Sequence, residues 1–250
     1  MDKTLLKGLI ALETLARSEH PRGVTELAAE LSLTKSNVHR ILQGLVHLGF
    51  VRKVGDQGRY EPTLKLWELG SYVFGRLDVR QVAHPHMEML ARQTNETVHL
   101  STLDGIEVLY LAKIDSPQPV RAYTTVGGRA PAQCVATGKA QLAWAAPDTL
   151  AAVKLALSPY TPKSITQAAQ LDEELEKVRM QGYAINTGEW RAQVCGMAAP
   201  IRNSTGGVVA SLGISGPADR LKLRLMQSLA PTVQKACADI SSLLGYRAPH

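Results

Sequence analysis

The sequence predicts an α+β protein: an N-terminal winged helix-turn-helix joined by a connector helix to an antiparallel-sheet domain with flanking helices. Two observations predict it. The first 62 residues carry three helical patterns followed by a short hairpin with basic arms. From Thr97 onward, alternating apolar runs bounded by Gly, Asn and Asp replace them, interleaved with amphipathic helices. We divide the chain into 1–66 and 67–250, with the connector at about 63–75.

The elements follow in order. Leu5, Leu9, Leu12 and Leu15 share one face of a first helix, which "SEHPRGV" breaks. Thr25 is placed to cap a second helix, "ELAAEL", with Glu26 in its first turn. After the turn "SLT", Thr34 is the expected N-cap of a third helix that runs to about Leu48. Its apolar stripe is Val38, Ile41, Leu42 and Leu45, and Gly49 ends it. Val51 and Val54, a Gly55-Asp56-Gln57-Gly58 tip and Tyr60 make the hairpin. "TLKLWELGSYVFG" reads as the connector helix, with Leu64, Trp67 and Val73 on a shared side, and residues 79–94 as one more helix.

In the second part, "TVHLSTLDGIEVLYLAKI" is a hairpin around Asp104-Gly105. "PVRAYTTVGG" is expected to be a strand, "TGKAQLAWAA" and "TQAAQLDEELEKVRMQG" helices, and "YAIN", "VCGMAAPIRN" and "GGVVASLGIS" strands. Asp219 to Leu244 is one long amphipathic helix.

The chain is 45% hydrophobic and 20% charged with a net charge of +6, so it builds a real core and tolerates a polyanionic partner. The first residues lack a signal-peptide pattern, and no apolar run is long enough to span a membrane. Cys134, Cys195 and Cys237 show neither metal nor disulfide spacing, which fits a reducing compartment, and a cytoplasmic protein is expected. No metal or cofactor site is expected.

Charge points to the first function. Between Thr34 and Tyr60 stand five Lys or Arg (Lys35, Arg40, Arg52, Lys53, Arg59) against one acid, Asp56. In a helix-turn-helix the head of the third helix meets base edges in the major groove. Lys35, Ser36, Asn37, His39 and Arg40 sit there, beside the Thr34 cap. Arg and Lys can donate to guanine, and Asn can pair with adenine. Arg52, Lys53 and Arg59 on the wing would meet phosphate. A solvated helical face would explain the charges alone, but it would not explain this order of cap, turn, polar-headed helix and basic wing. Double-stranded operator DNA is the expected partner.

An enzyme is the competing class, one that transforms a small molecule and carries an accessory DNA-binding domain. No G-x-S-x-G, HExxH, P-loop or G-x-G-x-x-G is present, and Cys134 and Cys195 have no neighbouring base in sequence. "HPH" at His84–His86 reads as a helix start.

"VTELAAELSLTKSNVHRILQGLVHLGFVRK" resembles the helix-turn-helix of the IclR family of bacterial transcription regulators. "TNETVHLSTLDGIEVLYL", "VGGRAPAQCVATGKAQLAW", "QGYAIN", "VCGMAAPIRN" and "VVASLGISGP" resemble, in order, segments of that family's GAF-like effector-binding domain. The resemblance implies a homodimer or homotetramer on operator DNA and a pocket for a small organic acid. It carries Ala132, Cys134, Thr137 and Gly138 into that pocket from the "GGRAPAQCVATGK" stretch. It adds Asn186 and Glu189 from the loop after "GYA", Val194 and Gly196 from the next strand, and Gly213 and Ser215 from "LGIS". The family usually has Asp at Asn186 and acids at Thr187 and Gly188, with bulkier residues at Gly196 and Gly213. The pocket is therefore expected to be less acidic and roomier than in members that bind small keto acids, open to an aromatic acid. The carboxylate is expected at the helix start around Thr137 and Gly138.

Overall fold

The computed structural model describes residues 3–55, 58–74 and 78–247. They fall into two compact units, Met1–Leu77 and Asp78–His250.

The first unit holds α1 (Lys3–Ala16), α2 (Val24–Glu30), α3 (Lys35–His47), β1 (Val51–Val54), β2 (Arg59–Pro62) and α4 (Lys65–Phe74). Its core joins Leu15, Leu27, Val38, Leu42, Val51 and Tyr60, one or two from each element before α4. Burying Val38 and Leu42 completely contributes about 1.5–3 kcal/mol each, and this fixes which way α3 faces. Only the end of the α1 stripe reaches that core. Ala11 and Leu15 are buried, whereas Leu5 and Leu9 are 63% and 57% exposed.

α2 departs from expectation at its cap. Gly23 is the N-cap, its N–H donating to Glu26 Oε2 at 3.3 Å, and Thr25 lies inside the helix. Thr34 does cap α3, accepting from the Asn37 N–H at 3.3 Å. Gly49, at φ +74°, turns the chain out of α3 in a conformation that favours glycine. β1 and β2 pair from Val51–Pro62 to Val54–Arg59. The tip residues Asp56 and Gln57, the Val73 side chain and Gly75 lie outside the described residues. Leu64 and Trp67, at and near the start of α4, are 84% and 77% exposed.

The second unit opens with α5 (Asp78–Thr94) and builds a sheet from β3 (Thr97–Asp104), β4 (Glu107–Ile114), β5 (Arg129–Pro131), β6 (Ala184–Asn186), β7 (Val194–Arg202) and β8 (Val208–Pro217). The order is β5-β4-β3-β8-β7-β6, antiparallel throughout. The side-chain period of two sorts its residues. One face carries Val98, Leu100, Leu212, Ile214 and Ala199 towards α5 and the long helix α9 (Leu223–Leu243), where the Cys237 thiol donates to Ala199 O at 3.3 Å. The other carries His99, Ser101, Ser211, Gly213 and Ser215 under α6 (Ala136–Leu142). α8 (Ala168–Gln181) packs over α6, and α7 (Pro147–Leu155) precedes it. Nothing in the sequence reading anticipated α7, although Pro147 at its first turn is a start signal.

One expected strand is absent. Residues 115–128 form no strand but an irregular loop between β4 and β5. Pro117 and Pro119 withhold backbone donors. The loop's carbonyls go instead to side chains: Thr97 to Ala122 O, Lys113 to Thr124 O and Arg220 to Val120 O. Among the described residues no helix is long and apolar enough to cross a membrane, and no group of His, Cys, Asp or Glu is arranged to hold a metal.

Candidate functional site

The polar head of α3 stands free of the core. Thr34, Lys35, Ser36, His39 and Arg40 are exposed and Asn37 is half-buried, while Val38, Ile41 and Leu42 turn inward. Arg40 donates to Asn37 Oδ1 at 3.4 Å, and Ser36 sits 3.2 Å from the Thr34 hydroxyl. Lys35, Lys53 and Arg40 make no salt bridge among the described residues. The wing cations differ from one another. Arg52 pairs with Glu61 at 2.6 Å but stays 70% exposed. Arg59 is taken up by the fold, donating to Pro21 O at 2.7 Å and Glu26 Oε1 at 2.8 Å. It ties the wing to the start of α2, so the phosphate contact expected of it would have to displace these bonds.

The second unit contains a narrow cavity of about 40 Å³ on the α6 face of the sheet. Of the residues expected at an effector pocket, Thr137 from α6, Asn186 from β6, Val194 and Gly196 from β7, and Ser215 from β8 line it. Ala132, Cys134, Gly138, Glu189 and Gly213 do not.

Each of those five has a structural occupation instead. A Cβ on Gly138 would run into the Ala132 carbonyl, and the Gly138 N–H already donates to Val135 O at 3.1 Å. Gly138 is thus a close-packing position whose N–H is already engaged within the protein. A Cβ on Gly213 would strike the Met197 carbonyl, so that glycine serves strand approach and adds no room to the cavity. Ala132 and Cys134 are wholly buried beside α6, and burial pushes the Cys134 thiol up to about 12. Glu189 clamps the buried Lys139 ammonium at 3.2 Å, with Glu174 at 2.7 Å on the other side. Asn186, though it lines the cavity, spends its side-chain oxygen on the Gly188 and Glu189 N–H groups at 2.9 and 3.1 Å.

The residues that define the cavity's chemistry were not singled out in the sequence: His99, Tyr110, Trp190 and Arg191, with Tyr123 and Thr124 from the loop. His99 Nε2 lies 2.5 Å from Ser215 Oγ and Nδ1 3.2 Å from Thr124 Oγ1. Burial holds its pKa down at about 4, with the nearby Lys113 charge acting the same way. A neutral ring has one N–H and one bare nitrogen, so it relays a hydrogen-bond direction between the two hydroxyls. Tyr110 tilts against the ring at 5.2 Å, and burial pushes its phenol up to about 12. The Thr137 hydroxyl is buried in the cavity wall with no hydrogen-bond partner among the described residues. Arg191 stacks on the Trp190 ring at 4.6 Å.

Comparison with known proteins agrees with both units. Residues 4–55 match the IclR helix-turn-helix domain, and residues 71–242 match the domain described as bacterial transcriptional regulator IclR C-terminal. The chain is 34% identical over 245 residues to the HTH-type transcriptional regulator KdgR of Escherichia coli, covering 97% of this chain and 93% of that one. It is 31% identical over 227 residues to the regulator XynR of the same organism, covering 90% of each. Among solved structures, the Thermotoga maritima IclR superposes with a TM-score of 0.79 at 31% identity, covering 98% of this chain and all of that one. An IclR homologue from Microbacterium hydrocarbonoxydans, complexed with 4-hydroxybenzoate, gives 0.82 at 28% identity over 97% and 99% of the two chains. Those relatives are named as regulators and not as enzymes. With a helix-turn-helix in one unit and the matching sheet domain in the other, the chain belongs to the IclR family of DNA-binding transcriptional regulators.

Proposed function

We propose that this regulator's affinity for its operator is set by a small organic acid bound in the cavity under α6. The observation that carries this reading is the Thr137 hydroxyl, buried in the cavity wall without a partner among the described residues. A buried hydroxyl left unpaired costs about 1–3 kcal/mol, and a ligand oxygen there would recover it. Ser215, linked through His99 to Thr124, supplies a second hydroxyl from the sheet side of the cavity. That an IclR homologue is complexed with 4-hydroxybenzoate supports an organic acid as the effector class.

On the DNA side, the proposed contacts are Lys35, Ser36, Asn37, His39 and Arg40, with Lys53 and a swung-out Arg52 on phosphate. One winged unit covers one half-site, so a homodimer or homotetramer on a near-palindrome is the working assembly, in the cytoplasm. The exposed Leu5, Leu9 and Trp67 are its proposed contact surface.

The test is a thermal-shift panel of small monocarboxylic acids on wild type and Thr137→Val, which keeps the shape and removes the hydroxyl. An acid at a hundredfold excess over its Kd should stabilise wild type by about 2.7 kcal/mol. Thr137→Val alone should be as stable as wild type or more so, and should lose most of the ligand shift. An equal shift in both proteins would place the ligand elsewhere. No shift with any acid would favour a DNA-binding scaffold without an effector.

A further inference from the structure

The cavity lining contains one side chain ionised at neutral pH, Arg191. Everything else that lines it is neutral: His99 by burial, and Tyr110, Thr124, Thr137, Asn186 and Ser215 by nature. The neighbouring cations are spent. Lys139 is held between Glu174 and Glu189, Lys113 by Asp115 and Thr124 O, and Lys163 by Thr187 O. Arg191 makes no salt bridge among the described residues. Its guanidinium lies on the Trp190 ring at 4.6 Å. Such a stack occupies the face of the guanidinium and leaves its N–H edge able to grip a carboxylate with two parallel hydrogen bonds. Arg191 itself is exposed while Thr137 and His99 are buried, so the cation stands at the solvent side and the neutral hydroxyls at the inner side.

Resting on the acid-binding reading above, we infer that Arg191 is the specificity-determining residue of the cavity: it holds the effector's single carboxylate at the mouth, while Thr137 and the His99–Ser215 pair take a neutral hydroxyl or keto oxygen at the inner end. The effector class is then a compact monocarboxylate with one uncharged polar group. A dicarboxylate would bury its second charge among neutral groups with no cation to meet it. This orientation is the reverse of a carboxylate seated at the start of α6.

Titration calorimetry on the full chain tests it with three probes: 4-hydroxybenzoate, its neutral amide 4-hydroxybenzamide, and the dicarboxylate terephthalate. Wild type should bind the monoacid about tenfold or more tighter than either of the others. Arg191→Gln should lose about tenfold or more for the monoacid, leave the amide unchanged and abolish the preference between them. Arg191→Lys should recover part of it, because it keeps the charge but loses the bidentate grip. Wild-type affinity for the monoacid in Arg191→Gln, together with a loss in Thr137→Val, would overturn the Arg191 assignment and leave the cavity standing. Unchanged binding in both variants, or no binding of any probe to wild type at millimolar concentration, would overturn the cavity reading as well.

Discussion

His99 shows how one buried residue ties site chemistry to stability. It is 3% exposed and held neutral, with a folded pKa of about 4 against an ordinary value of 6.5. Between those values the unfolded chain binds a proton that the folded chain does not, so stability rises with pH there. The contribution is complete above 6.5 and is lost as pH falls towards 4. From pH 7 to pH 5, wild type should therefore lose about 2 kcal/mol that His99→Gln does not. Urea unfolding at the two pH values measures this. Parallel losses in both proteins would mean that His99 takes up its proton without unfolding cost. None of this was legible in the sequence. His99 there is one of the alternating residues of "TVHLSTLD", and its partner Ser215 is 116 positions away, brought opposite by the pairing of β3 with β8. Trp190 and Arg191 likewise read as ordinary loop residues until the β6–β7 connection brings them to the cavity that Tyr110 also lines.

At the scale of elements, α3 and the wing separate readable from unreadable charge. The α3 stripe, its Thr34 cap and its Gly49 stop follow from local rules and could be read directly. That Arg59 reaches back to Pro21 and Glu26 depends on tertiary placement and could not. The two arginines should thus behave differently. Arg40→Ala should weaken operator binding by about 1–3 kcal/mol and leave thermal stability unchanged. Arg59→Ala should lower the melting temperature of the winged unit, with its DNA effect following from that loss. Gel-shift titration at fixed salt beside a melting curve distinguishes them, and an unchanged operator affinity in Arg40→Ala would remove that residue from the interface. The 115–128 loop shows the opposite limit. "PVRAYTTV" has the composition of a strand, but its carbonyls are claimed by Thr97, Lys113 and Arg220 from outside the loop. Those claims place Tyr123 and Thr124 at the cavity.

For the whole molecule, a bound acid can change operator affinity only if it favours one arrangement of the paired DNA-binding units over another. α4 supplies the covalent route between cavity and DNA-binding unit, and half-sites on DNA lie a fixed distance apart, about 34 Å per helical turn. A small change in how the two recognition helices are spaced would cost affinity at both half-sites together. The measurement that tests this most directly is the operator Kd of the full chain, by fluorescence anisotropy, with and without a cavity-binding monocarboxylate, for wild type, Thr137→Val and Ser215→Ala. All three should bind operator equally without the acid, and only wild type should change its Kd when the acid is added. An acid that binds wild type but leaves its operator Kd unchanged would contradict this, as would variants that respond as wild type does.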